Sequence, residues 1–444
     1  MLNPKDFGAV FDGVKDDAPA WIACIKKARS GTGQASIYFP AGASVIKQTL
    51  DVSGIGIIGE GSIASKLIAG TGFVGNSMLL LSDATEGGAG RATYSNFWLY
   101  GNHASVRSPV VGIKIDGNCI ANHFRDLFIS EITGQFVLLD GALGRVPALT
   151  IFDNVYGNHS DTHGWEIRAG INLTFRVCVS EVTAGRGWNI NSASRAVNTC
   201  LLDGCWNEQT GSNAHPQTAV YLEGCDHVTL VRHITNGYGS SPATTGDGIH
   251  LNNCVACVVD APSVSGGHGS APGSVKIRIT NGRRNVLHNL GAEISATDLA
   301  ITGATDTIVT ANNAEIASND LVFITNATAP IPAGATAYIS PGTGFVSSNE
   351  PLAAQFVYGA MSIAGLYVAA GSSPGSDSFV YTVFKNGVAT ALTLRVSDAW
   401  ATGAHINADV PFKMGDRFSL AVHTGAGSGG LAAGAAKATL AIRR

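Results

Sequence analysis

Trp188-Asn-Ile-Asn-Ser192, followed by Val220-Tyr-Leu-Glu-Gly224 and then Ile249-His-Leu-Asn-Asn253, decides the fold. Each stretch is a short strand with two alternating apolar residues, closed by a turn of small or polar residues. Working outward, the pattern recurs upstream at residues 113–117, 137–141 and 165–170, and downstream at 275–279, 299–303 and 322–326. The spacing lies within the about 20 to 50 residues of a solenoid, in which each repeat is buried against its neighbours. No copy carries a helical period, so the chain reads as an all-β protein built on a right-handed, single-stranded parallel β-helix. Successive coils of such a rod stand about 4.8 Å apart, and their outward side chains form ladders that suit an extended polymer.

Composition narrows the possible partners. The 444 residues include 55 glycines, 14% charged residues and a net charge of −4, with no Lys/Arg cluster to attract nucleic acid or an anionic membrane. No apolar run reaches the ~20 residues needed to span a bilayer. Met1 leads into Asn-Pro-Lys-Asp rather than an export signal, so a soluble chain made without a secretion peptide is expected. Cys119, Cys225 and Cys254 recur just after their turns, and Cys178 and Cys205 share another phase, as expected of stacked, buried free thiols. Cys254 and Cys257 form a tight pair with no second pair at zinc spacing, so neither metal nor cofactor is expected.

The N-terminus has its own signature. Asp6-Phe-Gly-Ala-Val-Phe-Asp-Gly-Val-Lys-Asp-Asp17 precedes a segment in which Pro19 suits a first helical turn and Asp16 and Asp17 suit an N-cap. Trp21, Ile22, Ile25 and Ala28 form its apolar stripe. A helix there would cover the open end of the solenoid. Ile37-Tyr-Phe-Pro-Ala-Gly42 follows as a first strand. These segments, in this order, resemble the pectate-lyase-like β-helix family of bacteriophage tailspikes and polygalacturonase-type enzymes. The resemblance covers residues 3 to about 326. It implies the fold and leaves hydrolase, lyase and binding roles open.

Three domains are expected: a cap at 1–36, the β-helix at 37–329 and an antiparallel, jelly-roll-like sandwich at 330–444. The last rests on the Pro-rich junction at 326–334, the alternating strands after it and the hairpin turn at Asn386-Gly387. It resembles the C-terminal sandwich of trimeric phage tail proteins, which implies trimerisation or sugar binding.

Alternation assigns the outward face of the repeated strand. Lys114, Leu138, Glu166, Asn189, Tyr221, His250 and Lys276 form one column, and Asp116, Asp140, Arg168, Asn191, Glu223, Asn252 and Arg278 the next. The loops before this strand swell at 157–164, 207–218, 236–246 and 266–273, and such insertions tend to gather on a binding face. They carry His159, Asp161, His163, Glu208, His215, Tyr238 and His268, with Asp247 directly after the third. A groove between the fifth and ninth coils is the expected glycan site, with Tyr221, His250, Lys276, Arg278, Glu166, Asn189, Arg168, Trp206 and Tyr238 as substrate-binding residues.

Two chemistries fit. Gly246-Asp247-Gly248, with Gly267-His268-Gly269 following, resembles the second catalytic carboxylate and the histidine of polygalacturonases, although Gly246 stands where that family pairs aspartates. Hydrolysis needs two carboxyl groups, so Asp247 would work with Glu208, Glu223 or Glu181, and stacked carboxylates would raise one pKa. β-Elimination from a uronic acid instead needs a base, a cation for the carboxylate and often a tyrosine acid, roles open to His250, Tyr221, Lys276, Arg278 and Arg168. Arg125, Asp153, Arg176, Asp203, Arg232 and Asp260 form an alternating charge ladder, read as structural. The resulting expectation is a homotrimeric phage tailspike depolymerase that hydrolyses bacterial capsule, exopolysaccharide or O-antigen. It would assemble in the host cytoplasm, act from the virion tail and contact other tail proteins. A metal-free lyase and a non-catalytic adhesin are the alternatives.

Overall fold

The computed structural model describes residues 1–31, 36–83, 90–106, 108, 110–141, 145–192, 196–208, 217–238, 246–265, 274–290, 294, 298–304, 307–311, 320–326, 329–339, 346–350, 354–356, 361–370, 378–397, 404–413, 415–428 and 436–443. The chain forms two compact units, one of Met1–Cys257 with Pro262–Arg278 and one of Val258–Ala261 with Ile279–Arg444.

The first unit is a parallel β-helix with three stacks of strands. One stack runs through Val111–Gly117, Val137–Asp140, Trp165–Ile167, Trp188–Asn191, Val220–Glu223 and Ile249–Asn252 in parallel register. A second holds Thr174–Arg176, Leu201–Asp203 and Thr229–Val231, and a third holds Val179–Thr183, Trp206–Glu208, Ile234–Asn236 and Ser263–Ser265. In the earlier coils, the single strands His123–Ile132 and Ile151–Ser160 serve both of these stacks by bending. The bend is one residue in the left-handed region, repeated coil after coil at Asn96, Asp126, Asn154, Val177, Gly204 and Arg232. The residue after each bend points inward, so Phe97, Leu127, Val155, Cys178, Cys205 and His233 are all buried.

Stacking of like on like fills the core. Trp165 and Trp188, each fully buried, lie face to face with centroids 4.8 Å apart. Phe124, Phe152 and Phe175 stack in the same way over three coils at 4.7 and 5.1 Å. All eight cysteines are buried and free. Several of their thiols donate to carbonyls of the preceding coil, as Cys205 Sγ does to Phe175 O and Cys254 Sγ to Leu222 O, both at 3.5 Å.

The N-terminal helix spans Ala18–Arg29, with two corrections to its reading. Asp17 does not cap it through its side chain; its carboxylate accepts from the amides of Val10 and Phe11 and from Ser44 Oγ, which itself accepts from Trp21 Nε1. The aspartate therefore ties the Phe-Gly-Ala-Val loop to the helix and the first coil. Ile22 is 40% exposed, and Cys24 takes its place in the buried stripe. Among the described residues no helix is long and apolar enough to cross a membrane.

In the second unit, Val258–Asp260, Val286–Leu290 and Ile308–Ala311 pair in parallel. Asp320–Asn326, which reads as a further repeat, instead pairs antiparallel with Ile308–Ala311 and Ala436–Arg443. Period-two alternation is the same in both directions, so the sequence pattern does not reveal the switch. Two antiparallel sheets then share one core, with Leu366, Val368 and Leu440 on one and Ile339, Phe379, Tyr381 and Leu420 on the other. The expected boundary at 329/330 falls inside this unit.

Candidate functional site

The outward face of the first stack carries a polar strip whose order follows from register. Glu166 stands beside Asn189, Asn189 beside Tyr221 and Tyr221 beside His250, while Asn191, Glu223 and Asn252 form the neighbouring column. The strip is half-buried. Glu166, Asn189, Tyr221 and Asp247 expose under a tenth of their surface each.

Arg186, which leads into the Trp188 strand, organises its centre. Its guanidinium lies over the Tyr221 ring at 3.7 Å, and Nη1 donates to Asn189 Oδ1 at 2.6 Å. Its Nε–H is buried without a hydrogen-bond partner. The Arg186 amide donates to His163 Nδ1 at 2.9 Å, and burial holds the His163 imidazole below its usual pKa. Sequence reasoning missed Arg186, since it lies outside the repeated strand. Its signal was one arginine in the short turn before Trp188.

Tyr221 and His250 meet edge to face, centroids 5.3 Å apart. Burial raises the Tyr221 hydroxyl's pKa, with bonds to Asn252 and Glu223 acting on it as well, and Asn252 Nδ2 donates to that hydroxyl at 3.1 Å. Burial lowers the pKa of His250, partly against the pull of Asp247. Both groups are therefore uncharged at neutral pH. At the upstream end, Glu166 accepts from Gln135 Nε2 at 2.5 Å and from Arg168 Nε at 2.8 Å.

Asp247 is engaged on all sides. Arg278 donates to it through Nε at 2.7 Å and Nη2 at 3.1 Å, the Val275 amide donates at 3.0 Å, and His250 Nδ1 lies 3.6 Å away. The Gly248 that follows is required by packing, because a Cβ there would sit 2.6 Å from Lys276 O. Both carboxylate oxygens of Asp247 are thus engaged by donors of the chain itself. Asp247→Asn is expected to destabilise the chain by about 2 to 3 kcal/mol, at or below the lower end for a broken buried pair because the Arg278 side chain is 26% exposed. Urea midpoints test this. An unchanged midpoint with activity abolished would return Asp247 to the chemistry.

The structure thus gathers Tyr221, His250, Asp247, Arg278, Glu223, Glu166, Asn189 and Arg168 on one strip, with the Lys276 carbonyl accepting from the Ile249 amide beside it. It sets Glu181, Glu208 and Trp206 on the third stack instead. Glu181 and Glu208 are register partners, and burial followed by the Glu208 charge raises the pKa of Glu181. Tyr156 and Asn158 donate to Glu181, and Trp206 is 38% exposed in the column that includes Tyr156. Tyr238, just past the Ile234–Asn236 strand, is buried. His215 and His268 lie outside the described residues. In the charge ladder Asp203 is in register with Val231, and Arg232 occupies the bend, from which Nη2 reaches Asp203 at 2.5 Å.

Residues 1–124 match the family model described as rhamnogalacturonase A/epimerase, pectate lyase-like. That stretch holds the N-terminal signature, the capping helix and the first coils. The A-module of mannuronan C-5 epimerase AlgE4 from Azotobacter vinelandii is similar in structure, with TM-score 0.48 and 14% identity over 71% of this chain and 98% of that one. So is the gp42 tailspike of Acinetobacter phage vb_AbaP_AS12, with TM-score 0.49 and 10% identity over 94% and 81%. ORF18 of Geobacillus virus E2 is similar at TM-score 0.47 and 13% identity over 94% and 75%. No curated protein matches the sequence.

Proposed function

We propose that the chain is a tailspike-type depolymerase that binds an acidic bacterial surface polysaccharide along the strip and cleaves it by β-elimination. The observation that carries this reading is Arg186, a half-buried cation lying over the ring of Tyr221, whose pKa burial raises, with His250, whose pKa burial lowers, edge to face with that tyrosine one coil on. Arg186 would neutralise the uronate carboxylate and so acidify the adjacent C5–H. His250 takes that proton, the electron pair forms the C4=C5 double bond, the C4–O bond breaks, and the Tyr221 hydroxyl protonates the leaving oxygen. Solvent then restores both groups. Asp247 and Arg278 hold His250 from behind. Assembly as a homotrimer in a virion tail, with other tail proteins as neighbours, belongs to the same proposal.

One observation favours hydrolysis as a second reading: the stacked Glu181 and Glu208, one with a raised pKa, beside exposed Trp206. Neighbouring coils would hold the two carboxyls near the roughly 5 Å of retaining glycosidases. Incubation with uronate-containing and neutral capsular polysaccharides, followed by mass spectrometry and near-ultraviolet absorbance, separates the readings. Elimination gives unsaturated fragments that absorb, and Glu181→Gln leaves the rate within about threefold. Fragments heavier by one water, lost in Glu181→Gln, would transfer the chemistry to the third stack. Intact polymer from every sample would leave binding alone.

A further inference from the structure

His103, Glu131, His159 and Asp161 converge from three successive coils. We propose that His103, His159 and Asp161 bind a divalent transition-metal ion of the Zn²⁺ class, with Glu131 orienting one of the ligands. One ligand atom from each of the three residues lies within 4.8 Å of the other two. His103 Nε2 is 3.0 Å from Asp161 Oδ2, His159 Nε2 is 3.8 Å from Asp161 Oδ1, and the imidazole centroids are 4.8 Å apart. Ligands about 2.0 to 2.2 Å from a tetrahedral zinc stand roughly 3.3 Å from each other, so small side-chain rotations complete the site.

The backbone holds these groups in place. The His103 amide donates to Glu131 O at 3.1 Å, and the Asp161 amide donates to Ile132 O at 3.2 Å. Glu131 and His159 occupy the same place in adjacent coils, each in the left-handed region with φ of 55° and 62°. The next coil repeats this bend at Val182, so it is a regular feature of the solenoid that fixes both backbones. Glu131 Oε2 lies 2.9 Å from His159 Nδ1. A proton on Nδ1 donated to Glu131 leaves the Nε2 lone pair directed at Asp161, the carboxylate–histidine arrangement that fixes the tautomer of zinc ligands. Two imidazoles and one carboxylate favour a borderline transition ion over the all-oxygen shell of Ca²⁺ or Mg²⁺. His103, Glu131 and His159 are each about one-third exposed and Asp161 is 41% exposed, which leaves room for water to complete the coordination. No compact motif reveals the site in the sequence, because its ligands are spread over three coils.

The test is calorimetric titration of the untagged full chain with Zn²⁺, paired with visible absorption of the Co²⁺ form. One saturable Zn²⁺ per chain is expected, with a tetrahedral Co²⁺ band, neither displaced by excess Ca²⁺. His103→Ala/His159→Ala should abolish both signals while keeping the wild-type circular dichroism. Glu131→Gln should keep the stoichiometry and weaken affinity about 10- to 100-fold. Saturable binding that persists in the double variant, or its absence in the wild type, would overturn the proposal and leave two ordinary histidine–carboxylate pairs. If the double variant does not fold, Asp161→Asn serves in its place, with weaker Zn²⁺ binding expected and unchanged binding overturning the site.

Discussion

His250→Ala is expected to lower the turnover of a cleaved uronate polysaccharide by about 10²- to 10⁴-fold, the usual contribution of a general base. The side chain is 19% exposed and caps the strip rather than filling the core, so the variant should unfold at nearly the wild-type denaturant concentration. The pH profile gives a further check. Burial places the imidazole below its usual 6.5, and the base works only when unprotonated. Activity should therefore rise with pH along a limb centred below 6.5 and be complete at neutrality. Tyr221 must keep its proton, and burial raises its pKa above the usual 10, so the alkaline limb should lie beyond 10. A His250→Ala variant within a few-fold of wild type, or an acid limb set instead by Glu181→Gln, would remove the histidine from the mechanism.

The strip could be read from the sequence because a parallel solenoid converts a linear pattern into register with little ambiguity. Once Ile113, Val137, Trp165, Trp188, Val220 and Ile249 are assigned inward, Tyr221 and His250 must be neighbours on the outside, and they are. What stayed hidden depends on the turns. Arg186 sits in a loop, where periodicity says nothing of direction. Glu208 and Glu181 lie one strand before the loops, and sequence proximity to a loop does not say which of its two flanking sheets a residue faces. Asp247 reads from the motif as a loop carboxylate open to the groove; its burial and its ion pair with Arg278, one coil later, are tertiary facts that the local pattern does not carry. The same limit explains Asp320–Asn326, whose alternation is real and whose direction is set by the chain that returns beside it.

Mild acid is expected to destabilise the β-helix through His233, and the reason lies in the bend that precedes it. The position after each bend points into the core, where other coils place Phe97, Leu127, Val155 or a cysteine, so this imidazole is fully buried. Nε2 lies 2.7 Å from Asn207 Oδ1 and therefore carries the proton it donates there, leaving Nδ1 a bare lone pair with no hydrogen-bond partner. A second proton would put a charge among Trp188 and its neighbours with nothing to accept it, and burial accordingly holds the pKa at about 3. In the unfolded chain the same group titrates near its usual 6.5. Between those values the unfolded state binds one more proton than the folded one, so stability is complete above 6.5 and falls as pH drops through this window. The slope approaches about 1.4 kcal/mol per pH unit, or about 2 kcal/mol by pH 5 for this residue alone, before carboxylates begin to contribute. His163 and His250, also held low by burial, act in the same direction. Urea midpoints measured from pH 7.5 to 5 should show this decline, and His233→Leu, which suits the apolar column, should remove close to one proton from the slope. An unchanged slope in that variant would mean that the His233 imidazole accepts its proton in the folded state as readily as in water.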